Sequence, residues 1–235
     1  MDAWLEFAKG PLFRFTFAIM ILGLSRVLIL SIINGFEAKG KSREKKLPMN
    51  YIMKLTFGFV FPIRSFRVKP LYSVISIIFH LGLLLTPIFL FDHALLFDNS
   101  IGISWLGLTF SKTSADWLTI ITIITGVIIF LLRWTNQASR AISRKQDFIW
   151  PLLLLVPFIT GYVCGNSVLN PDSYKAFLLI HILSGELIFL LLPFTKIAHC
   201  ILMPISQWIT ARSWKFAPDS PEEVIMALGK EGEKI

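Results

Sequence analysis

Residues 174–208 read YKAFLLIHILSGELIFLLLPFTKIAHCILMPISQW. The stretch reads as one long apolar helix carrying two histidines, His181 and His199, 18 residues apart. At about 100° per residue, 18 steps close five full turns, so both imidazoles leave the same face, separated by about 27 Å at about 1.5 Å per residue. That is close to the depth of a hydrocarbon core, about 30 Å. A titratable ring is costly in lipid, so such a residue is a functional candidate by default. Imidazole is also a common axial ligand to haem iron. A lone histidine in a membrane helix is more often a hydrogen-bonded packing residue or an interfacial anchor. The census weighs against that reading here. The chain has four histidines, His80, His93, His181 and His199, all in or at the ends of apolar segments. Two haems with two imidazoles each need four. The stretch therefore predicts a membrane cytochrome b with two stacked haems.

Composition agrees with the membrane setting. The chain has 235 residues, is 54% hydrophobic and has a mean hydropathy of +0.67. Those values describe a polytopic membrane protein, not a soluble domain. The net charge of +8 is concentrated in two loops, which topology explains better than nucleic acid does. Cys164 and Cys200 fall at opposite ends of apolar segments, which argues against a disulfide or an iron–sulfur site of the chain's own. The first apolar run is long enough to span, and no small-residue cleavage site follows a basic region. It reads as a retained helix, not a signal peptide.

The pattern gives five spanning helices in an all-α bundle over residues 1–212 and a polar tail over 213–235. The first helix is expected at Leu12–Ile33. Its Arg26 either snorkels to the surface or pairs with a haem propionate. Residues 35–70 hold nine Lys/Arg against two acids. Within them Tyr51–Val68 reads as an interfacial amphipathic helix broken by Pro62, lying on an anionic leaflet or docking a soluble partner. The second helix is expected at Leu71–Phe97, with His80 embedded and His93 at its end. On an ideal helix the 13 residues between them turn through about 220°, nearly opposite faces. Pro87 lies between the two, lacks an N–H and disturbs the preceding turn. An irregular helix around Pro87 is therefore expected. The third and fourth helices are expected at Ala115–Trp134 and Phe148–Cys164, and the fifth is the quoted stretch.

Five helices put the termini on opposite sides. The loops at 35–70 and 135–146 are basic and share one side, which the positive-inside rule makes cytoplasmic. The N-terminus is then outside and the C-terminal tail cytoplasmic. By depth, His80 pairs with His199 near the cytoplasm and His93 with His181 near the outside.

The five helices, the FHLG opening the embedded part of the second (residues 79–82), a further histidine near its end, and the two histidines of the fifth resemble the gamma-subunit family of respiratory nitrate reductase. The resemblance covers residues 4–212. WLEFAKGPLFRFTFAIMILGLSR (4–26), FHLGLLLTPIFLFDHALLF (79–97) and ADWLTIITI (115–123) are most similar to the shorter members from sulfate reducers. These are cytochrome b subunits of transmembrane redox complexes. The spacing between the histidines of the second helix is longer here than in the nitrate reductase member. The resemblance implies two b haems, the inner held by His80 and His199, the outer by His93 and His181. It implies a menaquinone or menaquinol site near the outer haem and a cytoplasmic iron–sulfur partner of the heterodisulfide-reductase type. A periplasmic multihaem cytochrome c is a further partner of such complexes. The setting it implies is anaerobic respiration in a bacterial or archaeal cytoplasmic membrane.

The sequence lacks dinucleotide-binding glycines, a phosphate loop, an HExxH and a cysteine cluster, so hard chemistry must come from a cofactor. Asp92, Lys112 and Asp116 are the polar candidates for a quinone site at the outer side. Glu186, five residues after His181, either relays a proton or hydrogen-bonds a neighbouring helix. Two rivals are a haem-free anchor that holds a redox partner at the membrane and a small transporter. The anchor has no need of paired histidines. The transporter predicts helices broken at the midplane and an internal repeat, and no repeat is seen.

Overall fold

Each long apolar segment is helical, as it must be where lipid offers backbone groups no hydrogen-bond partner. The computed structural model describes residues 1–41, 50, 53–54, 57–58, 63–213 and 225–229. The helices are α1 (Asp2–Phe7), α2 (Phe13–Lys41), α3 (Ile63–Val68), α4 (Pro70–Phe89), α5 (Phe91–Ile101), α6 (Lys112–Thr135), α7 (Gln137–Ile142), α8 (Lys145–Asn166), α9 (Pro171–Leu191) and α10 (His199–Ser213). There is no strand among the described residues. Among the described residues five segments are long and apolar enough to cross a membrane: Asp2–Glu37, Pro70–Phe89, Lys112–Thr135, Lys145–Asn166 and Pro171–Phe194. Their outward faces are apolar, as at Leu81 and Leu84 of α4 and Ile124 and Leu131 of α6. The described residues are thus helical apart from turns and short connections, with five candidate membrane spans among them. Of the expected interfacial helix Tyr51–Val68, eight residues, Pro62 among them, lie outside the described residues and Ile63–Val68 is helical; most of the tail also lies outside the described residues.

The chain divides into two compact units, residues 1–22 with 65–195 and residues 23–64 with 196–235. Within the first unit α4 packs along α6, α6 along α8 and α8 along α9, while α9 also meets α1 and the turn that follows it. The seams are built on small residues, as membrane helices require when only close approach holds them together. A Cβ at Gly82 of α4 would collide with the Thr122 hydroxyl of α6. One at Gly126 of α6 would lie 2.7 Å from Leu155 of α8 and 2.9 Å from Phe79 of α4. Phe79, Ile129 and Leu155 form the buried cluster at this three-helix junction. The buried threonines of α6 satisfy themselves locally. Thr119, Thr122 and Thr125 donate to the carbonyls of Ala115, Leu118 and Ile121 at 2.8, 2.6 and 2.7 Å, so none presents a bare hydroxyl to the seam.

The first span starts ten residues before its expected boundary, at Asp2 instead of Leu12. Its α1 runs into a wide π turn at Ala8–Leu12 containing Pro11. The proline lacks the N–H of a regular turn and favours such a bulge. The Ser100 hydroxyl of α5 donates to the Lys9 carbonyl in that turn at 3.0 Å.

The expectation of one helix from Tyr174 to Trp208 does not hold. α9 ends at Leu191 and is followed by two tight turns, Leu192–Phe194 and Lys196–Ala198, with Thr195 extended between them. Pro193 accounts for the stop, since its ring and missing N–H do not let a helix continue through it. His181 and His199 therefore sit on different helices, α9 and α10, and the shared-face argument for them fails.

Helix two is irregular, as its histidine spacing demands, but the break is at Leu90 rather than at Pro87. α4 runs through Pro87 to Phe89; Leu90 is extended (φ −71°, ψ 131°), and α5 begins at Phe91. The far end of the second span runs past the expected Phe97, because α5 continues to Ile101 before Gly102 takes a left-handed turn at φ 77°. The loop at 135–146 holds the short α7.

Candidate functional site

The break at Leu90 creates the site. A helix end leaves its last carbonyls without partners; here the cap residue satisfies the first of them and residues beyond the helix take the other three. The Leu90 N–H donates to Thr86 O at 3.1 Å and the Phe110 N–H to Phe89 O at 2.8 Å. The Trp105 indole donates to Ile88 O at 2.7 Å. The remaining carbonyl, Pro87 O, accepts from His93 Nδ1 at 3.1 Å. The turn thus aims the imidazole of the following helix back at the end of the preceding one.

His181, on α9, is held in the same manner by α8. Its Nδ1 donates to Pro157 O at 2.8 Å, and the Thr160 hydroxyl lies 3.5 Å from the same nitrogen. Gly161 leaves the space for the ring. A Cβ there would lie 2.8 Å from His181 Cε1 and 3.0 Å from Nδ1. A carbonyl oxygen only accepts, so each Nδ1 carries the proton and each neutral ring presents a lone pair at Nε2.

The two Nε2 atoms face each other at 3.4 Å. The ring planes are 16° apart and the centroids 5.7 Å apart. Centroid separation and Nε2 separation differ by about two ring radii, about 1.2 Å each for ring bonds of about 1.35 Å. The nitrogens therefore lie on the line between the centroids, and the rings meet tip to tip. Two lone pairs pointing at one another repel unless a Lewis acid or a proton lies between them. A metal accepting both needs about 4 Å, twice a bond of about 2.0–2.1 Å, so the rings stand about 0.7 Å short of a two-ligand axial spacing. Among the described residues no group of three or more His, Cys, Asp or Glu could hold a metal ion. Two collinear nitrogens alone suit a cofactor that brings its own equatorial ligands, as haem does.

The surroundings are apolar. Ala94, next to His93, is fully buried. One turn on, Phe97 meets Phe13 and Phe17 of α2 edge-on at 5.2 Å and Trp105 at 5.1 Å. Phe189 of α9 joins them, 6.2 Å from both Phe13 and Phe17.

The other expected site residues are placed as follows. His80 is exposed on α4, its Nδ1 donating to Ser76 O at 2.6 Å. His199 opens α10, its Nδ1 donating to Lys196 O at 2.9 Å. His80 belongs to the first unit and His199 to the second. Nδ1 of each of the four histidines thus bonds a backbone carbonyl, the arrangement that fixes Nε2 as the ligand nitrogen in metal-binding histidines. Arg26 is an exposed residue of α2 in the second unit, and Asp92 is exposed beside His93. Lys112 and Asp116 are engaged with each other at 2.9 Å. Asn166 closes the triangle, accepting from Lys112 at 2.6 Å and donating to Asp116 at 3.0 Å. These two quinone candidates thus tie the ends of α6 and α8 together.

Sequence reading missed Gly161, Thr160 and Trp105, and it treated Pro87 only as a disturbance of the second helix. The available signal was the spacing: Gly161 follows Pro157 by one turn, and His93 follows Pro87 by six residues.

No family model matches the chain, and no solved structure matches it. A curated protein of Nitratidesulfovibrio vulgaris (strain Hildenborough), whose name states no activity, is 33% identical over 143 residues, 61% of this chain. The chain spans about three fifths (61%) of that relative's length.

Proposed function

We propose that the chain is the cytochrome b subunit of a respiratory membrane complex, holding two b haems. In this reading it exchanges electrons between menaquinol or menaquinone and a cytoplasmic iron–sulfur partner. The observation that carries the reading is the tip-to-tip pair of His93 and His181, each imidazole fixed through Nδ1 with Nε2 presented to the other. When bound, haem supplies one-electron chemistry at iron. The chain's own residues do the rest. His93 and His181 would hold one haem through Nε2, and the carbonyls of Pro87 and Pro157 set their tautomer and aim. Phe97, one turn beyond His93, and the rings gathered round it (Phe13, Phe17, Phe189 and Trp105) would keep water from the pair. The second haem would be held by His80 and His199.

The basic loops support a topology with the N-terminus outside and the C-terminus cytoplasmic, in a bacterial or archaeal cytoplasmic membrane. A relative from a sulfate reducer is in keeping with that setting. Since Lys112 and Asp116 already hold each other, Asp92 is the better candidate for a quinone contact. The iron–sulfur partner of the heterodisulfide-reductase type and a periplasmic multihaem cytochrome c belong to the same proposal. Pyridine haemochrome assay on the pure protein tests it and should give about two haems per chain, one for each histidine pair. A value near zero would favour the haem-free anchor and end the reading.

A further inference from the structure

Glu186 of α9 is 4% exposed, and neither of its carboxyl oxygens has a hydrogen-bond partner among the described residues. It lies five residues beyond His181, about 7.5 Å further along the helix and about 140° round it. Its side of α9 faces the first span rather than lipid. Phe189, on the same side, touches Phe13 and Phe17. Lys175, eleven residues earlier and within about 20° of the same direction, pairs with Asp2 at 2.7 Å.

A carboxylate so placed stays ionised only while positive charge close by compensates it, and takes a proton when that charge is lost. Of the two roles the sequence left open, a hydrogen bond to a neighbouring helix finds no acceptor or donor here. Nor is there a basic partner among the described residues. Of the charged groups on the elements around α9, Asp2 is taken by Lys175, while Glu6, Lys9 and Arg14 are exposed. Tyr162 and Cys164 of α8 are half-buried, and neither bonds to Glu186. The charge state of Glu186 is therefore open to whatever charge changes close by, and in a medium of low polarity such coupling is strong. The His93–His181 site, whose His181 lies five residues before Glu186 on α9, is a place where the proposed function changes charge.

We infer that Glu186 takes up a proton when an electron arrives at the His93–His181 site and releases it when the electron leaves. The inference rests on the haem reading above. The balance is simple. One electron, from a quinol or an electrode, lowers the charge at the site by one. One proton from bulk water joins the Glu186 carboxylate, forming one O–H bond and restoring the net charge of the bundle. No other bond is made or broken.

The test is a redox titration of the full chain in detergent, followed by its visible spectrum across the neutral pH range, for the wild type and Glu186→Gln. The wild-type potential should fall as pH rises. Glu186→Gln should keep its haem and lose that slope. A redox-induced infrared difference spectrum of the wild type should show a carboxylic-acid band on reduction that shifts in D2O and is missing from the variant. An unchanged slope in a haem-bearing Glu186→Gln overturns the inference. So does a wild-type spectrum without the band, which needs no variant to fold. Protein that holds no haem would overturn the proposed function and this inference with it, and the haem assay tells that case from the others.

Discussion

Gly161→Ala tests the site by adding one carbon atom. The new Cβ would lie 2.8 Å from His181 Cε1 and 3.0 Å from Nδ1, whereas carbon atoms rest about 3.5–4.0 Å apart. The imidazole must retreat by about 0.7 Å or more. It cannot do so and keep its bond. From 2.8 Å, such a move stretches the contact with Pro157 O to about 3.5 Å, past the range of a good hydrogen bond. Overpacking contributes about 1–3 kcal/mol and the lost bond about 0.5–1.5 kcal/mol. Alanine's better helix propensity offsets about 0.5–1 kcal/mol. The net of about 0.5–4 kcal/mol is a loss of about 2- to 900-fold in retention of whatever the pair holds. The assay is haem content and the reduced-minus-oxidised spectrum of purified protein, with Gly165→Ala beside it. Gly165 lies one turn further on the same helix with nothing within 4 Å of its added Cβ, so that variant should match the wild type. If Gly161→Ala also retains full haem with an unshifted spectrum, the close fit of His181 against α8 is not what positions the ligand, and the reasoning fails.

His93→Ala and His181→Ala should each remove the same haem, seen as identical difference spectra; two distinct spectra would refute a shared site. His199→Ala should remove a different haem and leave that spectrum in place. Trp105→Phe strands the Ile88 carbonyl and should destabilise the α4–α5 corner by about 1 kcal/mol, the lower end for an unmade bond at a partly exposed position, read as a lower melting temperature with the haem still bound. Removal of residues 213–235 should weaken co-purification of the iron–sulfur partner without changing the haem spectrum; undiminished co-purification would exclude the tail from the interface.

The spans were legible because a run of some 20 apolar residues has few other uses. What runs of apolar residues do not encode is where a helix stops inside one. Pro193 was visible in the fifth span, yet helical periodicity carried the reading through it to His199. The stop at Leu90 has no local signature at all, since Phe89-Leu90-Phe91 is unremarkable for a membrane helix. It is set from outside, by His93, Trp105 and Phe110 taking the carbonyls that the helix gives up. The candidate histidines were legible from their number. Their shared use of Nδ1 was not, because the acceptors are backbone atoms and leave no mark in the sequence. Lys112 and Asp116 were read as free polar groups because their common partner, Asn166, lies 50 residues further on.

The corner at Leu90 also sets an order of events. The carbonyls at the end of α4 are satisfied by residues that lie up to 21 positions later, the last being Phe110. As the chain enters a membrane from its N-terminus, the second span is thus left with open acceptors until the segment before α6 has arrived. His181, the opposing half of the site, comes after two further spans. The pair is assembled last, around a corner completed earlier, so a cofactor held between them enters a bundle whose α4–α6–α8 core already stands.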